Sequence, residues 1–183
     1  MSITFLIILI IFFGIIFLFS SKTLSPIPYF PSNKKDLPLI IKALNLKNNQ
    51  AVFDLGAGDG IVIFEAAKKA YEKNLNTQFF AVEINPVLIL IMYIKLLFHP
   101  NKKNIKIVYD DIFKINIKKF LNFDFSLLTF YLYISPWYLE KTVSNLKSQL
   151  SNLKIVSYMY SIKSLKNKQK TINGKNKIYV YKN

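Results

Sequence analysis

Several residue types that carry much of protein chemistry are absent or scarce in this chain. Its 183 residues include no cysteine, which excludes disulfides, thiolate metal sites and a lipid-modified cysteine. All 25 basic residues are lysine, so the bidentate recognition of guanine edges that arginine provides is excluded as well. The single histidine, His99, precedes Pro100 and is interpreted as a helix-end residue without a catalytic role. No metal site is predicted.

Acidic residues are also few. Ten of them against 25 lysines give a formal net charge of +15, a balance that suits a polyanionic partner. The lysines are spread through predicted helices and turns instead of forming one stripe. This distribution favours a solvated surface that also suits an anionic membrane leaflet, and it makes nucleic acid the less favoured partner.

Charge is missing altogether between Ile3 and Phe19, where the sequence is ITFLIILIIFFGIIFLF. A helix of this length with its flanking residues approaches the roughly 30 Å hydrocarbon core of a bilayer. The run lacks the basic residues that precede a signal peptide and a small-x-small cleavage site. A retained transmembrane anchor is therefore predicted over residues 1–21, and the lysines that follow place the remaining chain on the cytoplasmic side.

Strands and helices are predicted to alternate after the anchor. Residues 22–35, rich in proline and turn-forming residues, are interpreted as a juxtamembrane linker, and residues 36–183 as one domain. Strands are predicted at 51–55, 78–83, 105–109, 123–133 and 153–162, and helices at 36–45, 60–73, 86–98 and 137–150. This alternation predicts an α/β, Rossmann-like sheet, mostly parallel, with helices on both faces. A hairpin turned at Asn173-Gly174 makes the last strand antiparallel.

Glycine is scarce too, yet three of the five glycines follow the first predicted strand of the domain. In an open parallel sheet, the loop at this place must let a ligand approach the backbone closely, which glycine permits. The dinucleotide fingerprint G-x-G-x-x-G fails because position 61 is Ile61. The pattern is instead D-x-G-x-G-x-G, formed by Asp54, Gly56, Gly58 and Gly60, with Asp59 and Gly60 opening the next helix. A carboxylate in this loop suits a cationic amine better than a pyrophosphate.

Two further acidic positions complete the predicted ligand. Glu83 ends the second strand, where a carboxylate accepts hydrogen bonds from both hydroxyls of a ribose. Asp110 and Asp111 follow the third strand, where the edge of an adenine would lie. Amine, ribose and adenine together describe S-adenosylmethionine, which is the predicted cofactor.

The ordered motifs DLGAGDG, FAVEINP, VYDDIF and FSLLTFYLYISP, within residues 36–181, resemble the class I S-adenosylmethionine-dependent methyltransferases. More narrowly, PYFPS ahead of the domain, EINPVLI and the tyrosine-rich fourth strand are similar to the small membrane-anchored protein-lysine methyltransferases of mitochondria and their bacterial relatives. This resemblance implies an anchored methyltransferase that acts on a lysine of a membrane protein. The alternatives are a methyltransferase of a small molecule, lipid or RNA, or a non-catalytic membrane-bound scaffold of the same fold.

The resemblance also assigns roles to cofactor-binding residues. Asp54 would meet the methionine amine, and Gly56 and Gly58 would leave room for the methionine part of the cofactor. Asp59 and Gly60, in the same loop, are also predicted to contact the cofactor. Glu83 would bind the ribose. Asp111, in preference to its neighbour Asp110, would bind the adenine amine.

The substrate end of the site is expected at the fourth strand. The resemblance places Tyr131 beside the transferred methyl group, and Tyr133 and Trp137 are expected to complete an aromatic pocket. An apolar pocket lowers the pKa of a substrate lysine, so no general base is required. The strand lacks the NPPY motif of enzymes that methylate exocyclic amines of bases, and a second proline expected near Ser32 or Asn33 is missing.

Overall fold

The structure, a computed structural model, describes residues 2–20, 29–121, 125–151 and 153–182. Five α-helices and seven β-strands lie in these ranges. The helices are α1 (Ile3–Ser20), α2 (Leu37–Leu44), α3 (Ile61–Glu72), α4 (Pro86–Leu97) and α5 (Pro136–Gln149). The strands are β1 (Gln50–Leu55), β2 (Gln78–Glu83), β3 (Ile105–Tyr109), β4 (Leu127–Leu132), β5 (Lys154–Tyr158), β6 (Gln169–Asn173) and β7 (Lys177–Lys182).

Helix α1 contains the long apolar run and contacts α4. Its 18 residues, rising 1.5 Å each, give a length of about 27 Å. Within the described ranges, no helix combines the length and the apolar character that crossing a membrane requires. The predicted transmembrane anchor is therefore not supported by the structure.

All seven strands form one sheet in the order β3-β2-β1-β4-β5-β7-β6. Strands β1 to β5 pair in parallel, whereas β7 is antiparallel to both β5 and β6. This topology confirms the predicted Rossmann-like sheet with its antiparallel last strand. The chain moves outward from β1 to β3 and then returns to β4 on the other side of β1. The ligand-binding switch point of the sheet therefore lies between β1 and β4.

Side chains that alternate along β1 fill a core on each face of the sheet. Val52 packs in the layer formed with α2, α3 and α4, and Phe53 faces the layer formed with α5. The Phe53 ring stacks between Phe80 and Phe130, at centroid distances of 4.4 and 5.2 Å. Helices thus cover both faces, as the alternating sequence pattern predicts.

Three predicted segments fall partly outside the described residues. These are residues 1 and 21 of the anchor, 22–28 of the linker and 123–124 of the fourth predicted strand. Strand β4 begins at Leu127, and β5 ends at Tyr158 instead of continuing to residue 162. The domain boundaries themselves stay predictions.

Asp36 precedes α2 but does not cap it. Its side chain makes no capping hydrogen bond to the helix. The buried carboxylate instead accepts hydrogen bonds from the Tyr158 hydroxyl at 2.7 Å and from the backbone N–H groups of Lys175 and Asn176 at 2.6 and 2.9 Å. Asp36 therefore does not serve as a helix cap. Its carboxylate joins the start of the domain to the turn of the β6–β7 hairpin.

Candidate active site

A cleft opens at the carboxyl edge of the sheet, at the switch point between β1 and β4. Its lining combines apolar side chains with a few convergent carboxylates and hydroxyls, as small-molecule sites do. The loop after β1, the segments that follow β2, β3 and β4, and residues 29–32 form its wall. The predicted site residues on this wall are Asp54, Gly56, Gly58, Asp59, Glu83, Asp111 and Tyr131.

Three glycines shape the loop after β1. Gly56, Gly58 and Gly60 have φ values of +85°, +60° and +77°, which strain any residue that carries a side chain. A Cβ atom on Gly58 would lie 2.6 Å from the Tyr29 ring, and one on Gly60 would lie 2.6 Å from the Phe64 ring. Gly60 is not part of the cleft wall and forms the turn into α3, and its predicted contact with the cofactor stays a prediction.

Asp54 lies on the cleft wall near the end of β1. Its side chain is buried, and among the residues that the structure describes no donor reaches its carboxylate. Burial, followed by the charges of Glu83 and Asp59, raises the pKa of Asp54 well above its usual value. A ligand amine would supply the missing donor and the compensating charge. This part of the cleft therefore fits the methionine end of S-adenosylmethionine.

Glu83, at the end of β2, holds the glycine loop against the cleft. Its Oε2 accepts a hydrogen bond from the Gly58 N–H at 2.8 Å. Its Oε1 accepts from the N–H groups of Ile84 and Asn85 at 2.8 and 2.9 Å. Each carboxylate oxygen has two lone pairs, so Oε2 retains capacity for a ligand hydroxyl. Glu83 fits a ribose contact while it also organises the loop.

The acidic pair after β3 divides into two roles. Asp111 lies on the cleft wall beside Ile112 and Phe113, and its Oδ1 accepts a hydrogen bond from the Phe113 N–H at 2.9 Å. Asp110 is not part of this wall, and its Oδ1 accepts from the Asp111 N–H at 2.7 Å. Asp111 is thus the member of the pair that fits an adenine contact.

Asp59 is on the wall, but its carboxylate already has protein partners. Its Oδ2 pairs with the Lys95 ammonium at 2.6 Å, and Tyr29 hydrogen bonds to the same side chain. Burial, with the charge and hydrogen bond of Asp59, raises the pKa of Tyr29 to about 12. Asp59 therefore fixes the glycine loop to α4 and holds Tyr29 over that loop.

Sequence reasoning missed the contribution of residues 29–32, which cover one side of the cleft. The Ser32 hydroxyl and the Tyr131 hydroxyl are 2.8 Å apart and buried. Tyr131 on β4 is in turn the register partner of Asp54 on β1. The motif PYFPS was a visible signal, but its function depends on a partner 99 residues away in the chain.

The sequence and the fold were compared with those of known proteins. Residues 29–173, more than half of the chain, match the family described as ribosomal RNA adenine dimethylase. The chain belongs to the ribosomal RNA adenine dimethylase family. A comparison with curated proteins finds no match. The protein is an S-adenosylmethionine-dependent methyltransferase, as the sequence predicts.

Solved structures share the fold of this ribosomal RNA adenine dimethylase family member. An RNA methyltransferase from Salinibacter ruber in complex with S-adenosyl-L-homocysteine has a TM-score of 0.67 at 19% identity, covering 84% of this chain and 93% of that chain. The 23S rRNA methyltransferase ErmE has a TM-score of 0.60 at 16% identity, covering 85% and 70%. M. capricolum TrmK in complex with S-adenosyl-homocysteine has a TM-score of 0.55 at 16% identity, covering 84% and 68%. At these identities the likeness shows the fold.

Only two of the three aromatic residues predicted for the substrate pocket of this methyltransferase line the cleft. Tyr131 and Tyr133 line the cleft, but Trp137 is 82% exposed and lies off its wall. The prediction that Trp137 completes the pocket is therefore wrong. The Tyr133 hydroxyl contacts the Met159 sulfur at 3.2 Å, and its ring packs edge-to-face on Tyr158.

The Tyr131 hydroxyl is a hydrogen-bonding group and not a base. Burial is the main cause that raises the pKa of Tyr131 well above its usual value, so the phenol stays protonated at neutral pH. S-adenosylmethionine, when bound, supplies an activated methyl group, and the protein's task is to position it and keep the site dry. Tyr131 and Ser32 serve that task by holding residues 29–32 on the cleft.

His99 lies away from the cleft at the end of α4, as predicted. Its Nδ1 accepts a hydrogen bond from the Asn101 N–H at 3.1 Å, so the neutral ring carries its proton on Nε2. That nitrogen donates to the Phe64 carbonyl at 3.0 Å. The ring therefore joins α4 to α3.

Removing the Ser32–Tyr131 hydrogen bond is expected to weaken cofactor binding several-fold. Ser32→Ala and Tyr131→Phe each delete the same buried bond, which is worth about 1 kcal/mol. The double variant should therefore bind S-adenosylmethionine no more weakly than either single variant, as titration calorimetry can measure. Tyr133→Phe is the matched control, because the Tyr133 hydroxyl contacts Met159 and not residues 29–32. Additive losses in the double variant would contradict a shared bond.

Proposed function

We propose that this methyltransferase acts on RNA, and the distribution of charge around the cleft carries the proposal. Six lysines are exposed in the segments that surround the carboxyl edge of the sheet. They are Lys34, Lys35, Lys114, Lys141, Lys175 and Lys177, here called the lysine rim. Lys141 lies over the ring of Phe113, which is itself on the cleft wall. The rim therefore reaches the mouth of the site.

Acidic side chains have the opposite distribution. Of those that the structure describes, only Glu65 and Glu72 are exposed, and both lie on α3. Asp54 and Glu83 are buried on the cleft wall. The carboxylates inside suit a cationic cofactor, and the lysines outside suit the phosphates of a polyanion. The lysines are scattered in the sequence, but six of them lie in segments at one edge of the sheet.

The comparisons support an RNA substrate. The matched family is described by an RNA activity, and two of the structures with the same fold are RNA methyltransferases. Tyrosine rings on the cleft wall also suit a base that has left its stack, since bases pack on aromatic faces. Nucleic acid, which the spread of lysines along the sequence disfavours, thus becomes the favoured partner.

A lysine side chain of a protein is the second candidate. The chain after β4 reads Tyr133-Ile134-Ser135-Pro136 and lacks the NPPY motif that marks methylation of exocyclic base amines. Burial beside Tyr131 and Tyr133, at the substrate end of the cleft, would lower the pKa of an incoming lysine. The lysine rim, however, repels a cationic peptide. RNA is therefore the first candidate and lysine the second.

One labelling experiment separates the two candidates. The full-length protein is incubated with a cell extract and S-adenosylmethionine that carries a radioactive methyl group, and the products are divided between ribonuclease and protease treatment. Label released by ribonuclease and retained after protease is the expected result. Label released only by protease would transfer the assignment to protein. An Asp54→Asn variant gives the background, since it lacks the carboxylate that fits the cofactor amine.

Neutralising part of the lysine rim is expected to reduce RNA binding and its salt dependence. Each lysine–phosphate contact contributes a slope of about 0.7 in a plot of log affinity against log salt for single strands. The double variant Lys175→Gln/Lys177→Gln should therefore lower that slope by about 1.4, measured by fluorescence anisotropy. Lys118→Gln/Lys119→Gln is the matched control, because both lysines are exposed near the far end of α5. An equal change in the control would indicate a general charge effect and reject the rim.

A further inference from the structure

Helix α4 has an apolar face that the domain does not cover. Its buried face packs Leu88 and Met92 toward the sheet. The side chains of Leu90, Tyr93, Ile94, Leu97 and of the adjoining Phe98 are between 50% and 86% exposed. These five residues, here called the α4 stripe, follow the spacing i, i+3, i+4, i+7, i+8 and so lie along one side of the helix. An exposed stripe of this kind marks an interaction surface.

Helix α1 presents a second apolar surface next to α4. Helix α1 contacts α4, and its described large apolar side chains are exposed, including Ile8, Phe12 and Phe17. Residues 2–20 carry no charged side chain. The stripe remains exposed with α1 in place, so α1 does not cover it.

Positive charge borders the stripe. Lys102 and Lys103 follow α4 in a short 3-10 helix and are exposed, and the Lys102 ammonium approaches the Leu97 carbonyl at 3.5 Å. Residues 98–104 contain no acidic side chain. Lys95, which lies within α4, pairs with Asp59 on the cleft wall and is not part of this border. An apolar stripe with aromatic rings and a lysine border matches the surface of an anionic bilayer.

We propose that the α4 stripe docks on an anionic lipid surface, in its interfacial layer, beside α1. Apolar side chains would enter the acyl boundary while Lys102 and Lys103 remain at the headgroups. This contact requires no membrane-spanning helix. It also holds the domain at the surface through a face other than the cleft, so the lysine rim stays available to a substrate.

The absence of cysteine allows a position-specific test in the full-length protein. An environment-sensitive fluorophore is attached to Phe98→Cys, and to Trp137→Cys as the control, because both side chains are more than 80% exposed and α5 lies on the opposite face of the sheet. Vesicles of phosphatidylcholine with phosphatidylglycerol are expected to shift the emission at position 98 to the blue and to protect it from iodide. The probe at position 137 should not respond.

Other outcomes would overturn the proposal. A probe at position 98 that stays open to iodide while the protein sediments with vesicles shows that α1 alone binds lipid. Protection without vesicles that grows with protein concentration shows that a second copy covers the stripe. If the probe at position 98 responds equally to vesicles of pure phosphatidylcholine, anionic headgroups do not contribute to docking. As a second measurement, Ile94→Glu and Leu97→Glu should each weaken vesicle affinity about tenfold, whereas Trp137→Glu should not.

Discussion

Replacing Asp54 with asparagine is expected to weaken S-adenosylmethionine binding about 100-fold and to make the ligand-free protein more stable. The first effect follows because the buried carboxylate would meet a cationic amine, and a charge-assisted hydrogen bond of this kind is worth about 1.5–3 kcal/mol. The second follows because, in the ligand-free protein, no described donor reaches that carboxylate. Asparagine keeps the size of the side chain and removes the buried charge. Calorimetric titration and thermal melting measure the two effects separately.

The pH dependence of stability provides a sharper test of the same carboxylate. The folded-state pKa of Asp54 is raised, with burial as the main cause. Its contribution to stability is therefore complete below the ordinary carboxyl pKa and is lost as the pH rises through the folded-state pKa. The melting temperatures of the wild type and Asp54→Asn should agree near pH 4 and then separate with rising pH, the variant being the more stable.

The control for Asp54 is Asp110→Asn, a conservative change at an acidic residue that lies off the cleft wall. It should leave cofactor affinity unchanged. If Asp54→Asn binds S-adenosylmethionine as tightly as the wild type, the amine is held elsewhere and the assignment fails. If that variant also melts at the wild-type temperature at pH 8, the carboxylate is not strained by burial.

The sheet and the cofactor side of the cleft could be predicted from the sequence because their determinants are local. The run Ala51–Leu55 is a buried strand by composition, and the glycines after it require a loop with positive φ. In a parallel sheet, strand ends meet at one edge, so Glu83 and Asp111 had to lie near Asp54. The preference for Asp111 over Asp110 came from the family resemblance, and Asp111 is the member of the pair on the cleft wall.

The features that the sequence did not predict depend on how distant parts of the chain pack in three dimensions. Ser32 and Tyr131 form their hydrogen bond across 99 positions, and no local pattern indicates such a pair. Trp137 was assigned to the pocket because it follows two cleft tyrosines, but it lies in the first turn of α5 and is exposed there. The sequence of α4 is apolar on every side, so periodicity alone could not show that one face packs on the sheet while another stays uncovered.

Asp36→Ala is expected to lower the free energy of unfolding by about 3 kcal/mol or more. Its buried carboxylate accepts three hydrogen bonds, and its removal leaves their donors without this acceptor. Tyr158→Phe, the comparison variant, removes one of the three bonds and also the hydrogen bond that the Asn176 side-chain amide donates to the Tyr158 hydroxyl at 2.7 Å. It should therefore cost about 2 kcal/mol. Urea unfolding at pH 7 measures both losses.

Acid should erase the difference between the wild type and Asp36→Ala. Burial alone would raise the pKa of Asp36, but hydrogen bonds from Tyr158, Asn176 and Lys175 outweigh it and hold that pKa below its ordinary value. The stabilisation is therefore present above the ordinary carboxyl pKa and is lost as the pH falls through the folded-state pKa. The gap in urea midpoint between the two proteins should stay constant from pH 5 to pH 8 and narrow below about pH 4. A gap that persists in acid would mean that the alanine variant loses packing, and that the ionised carboxylate does not hold the hairpin turn.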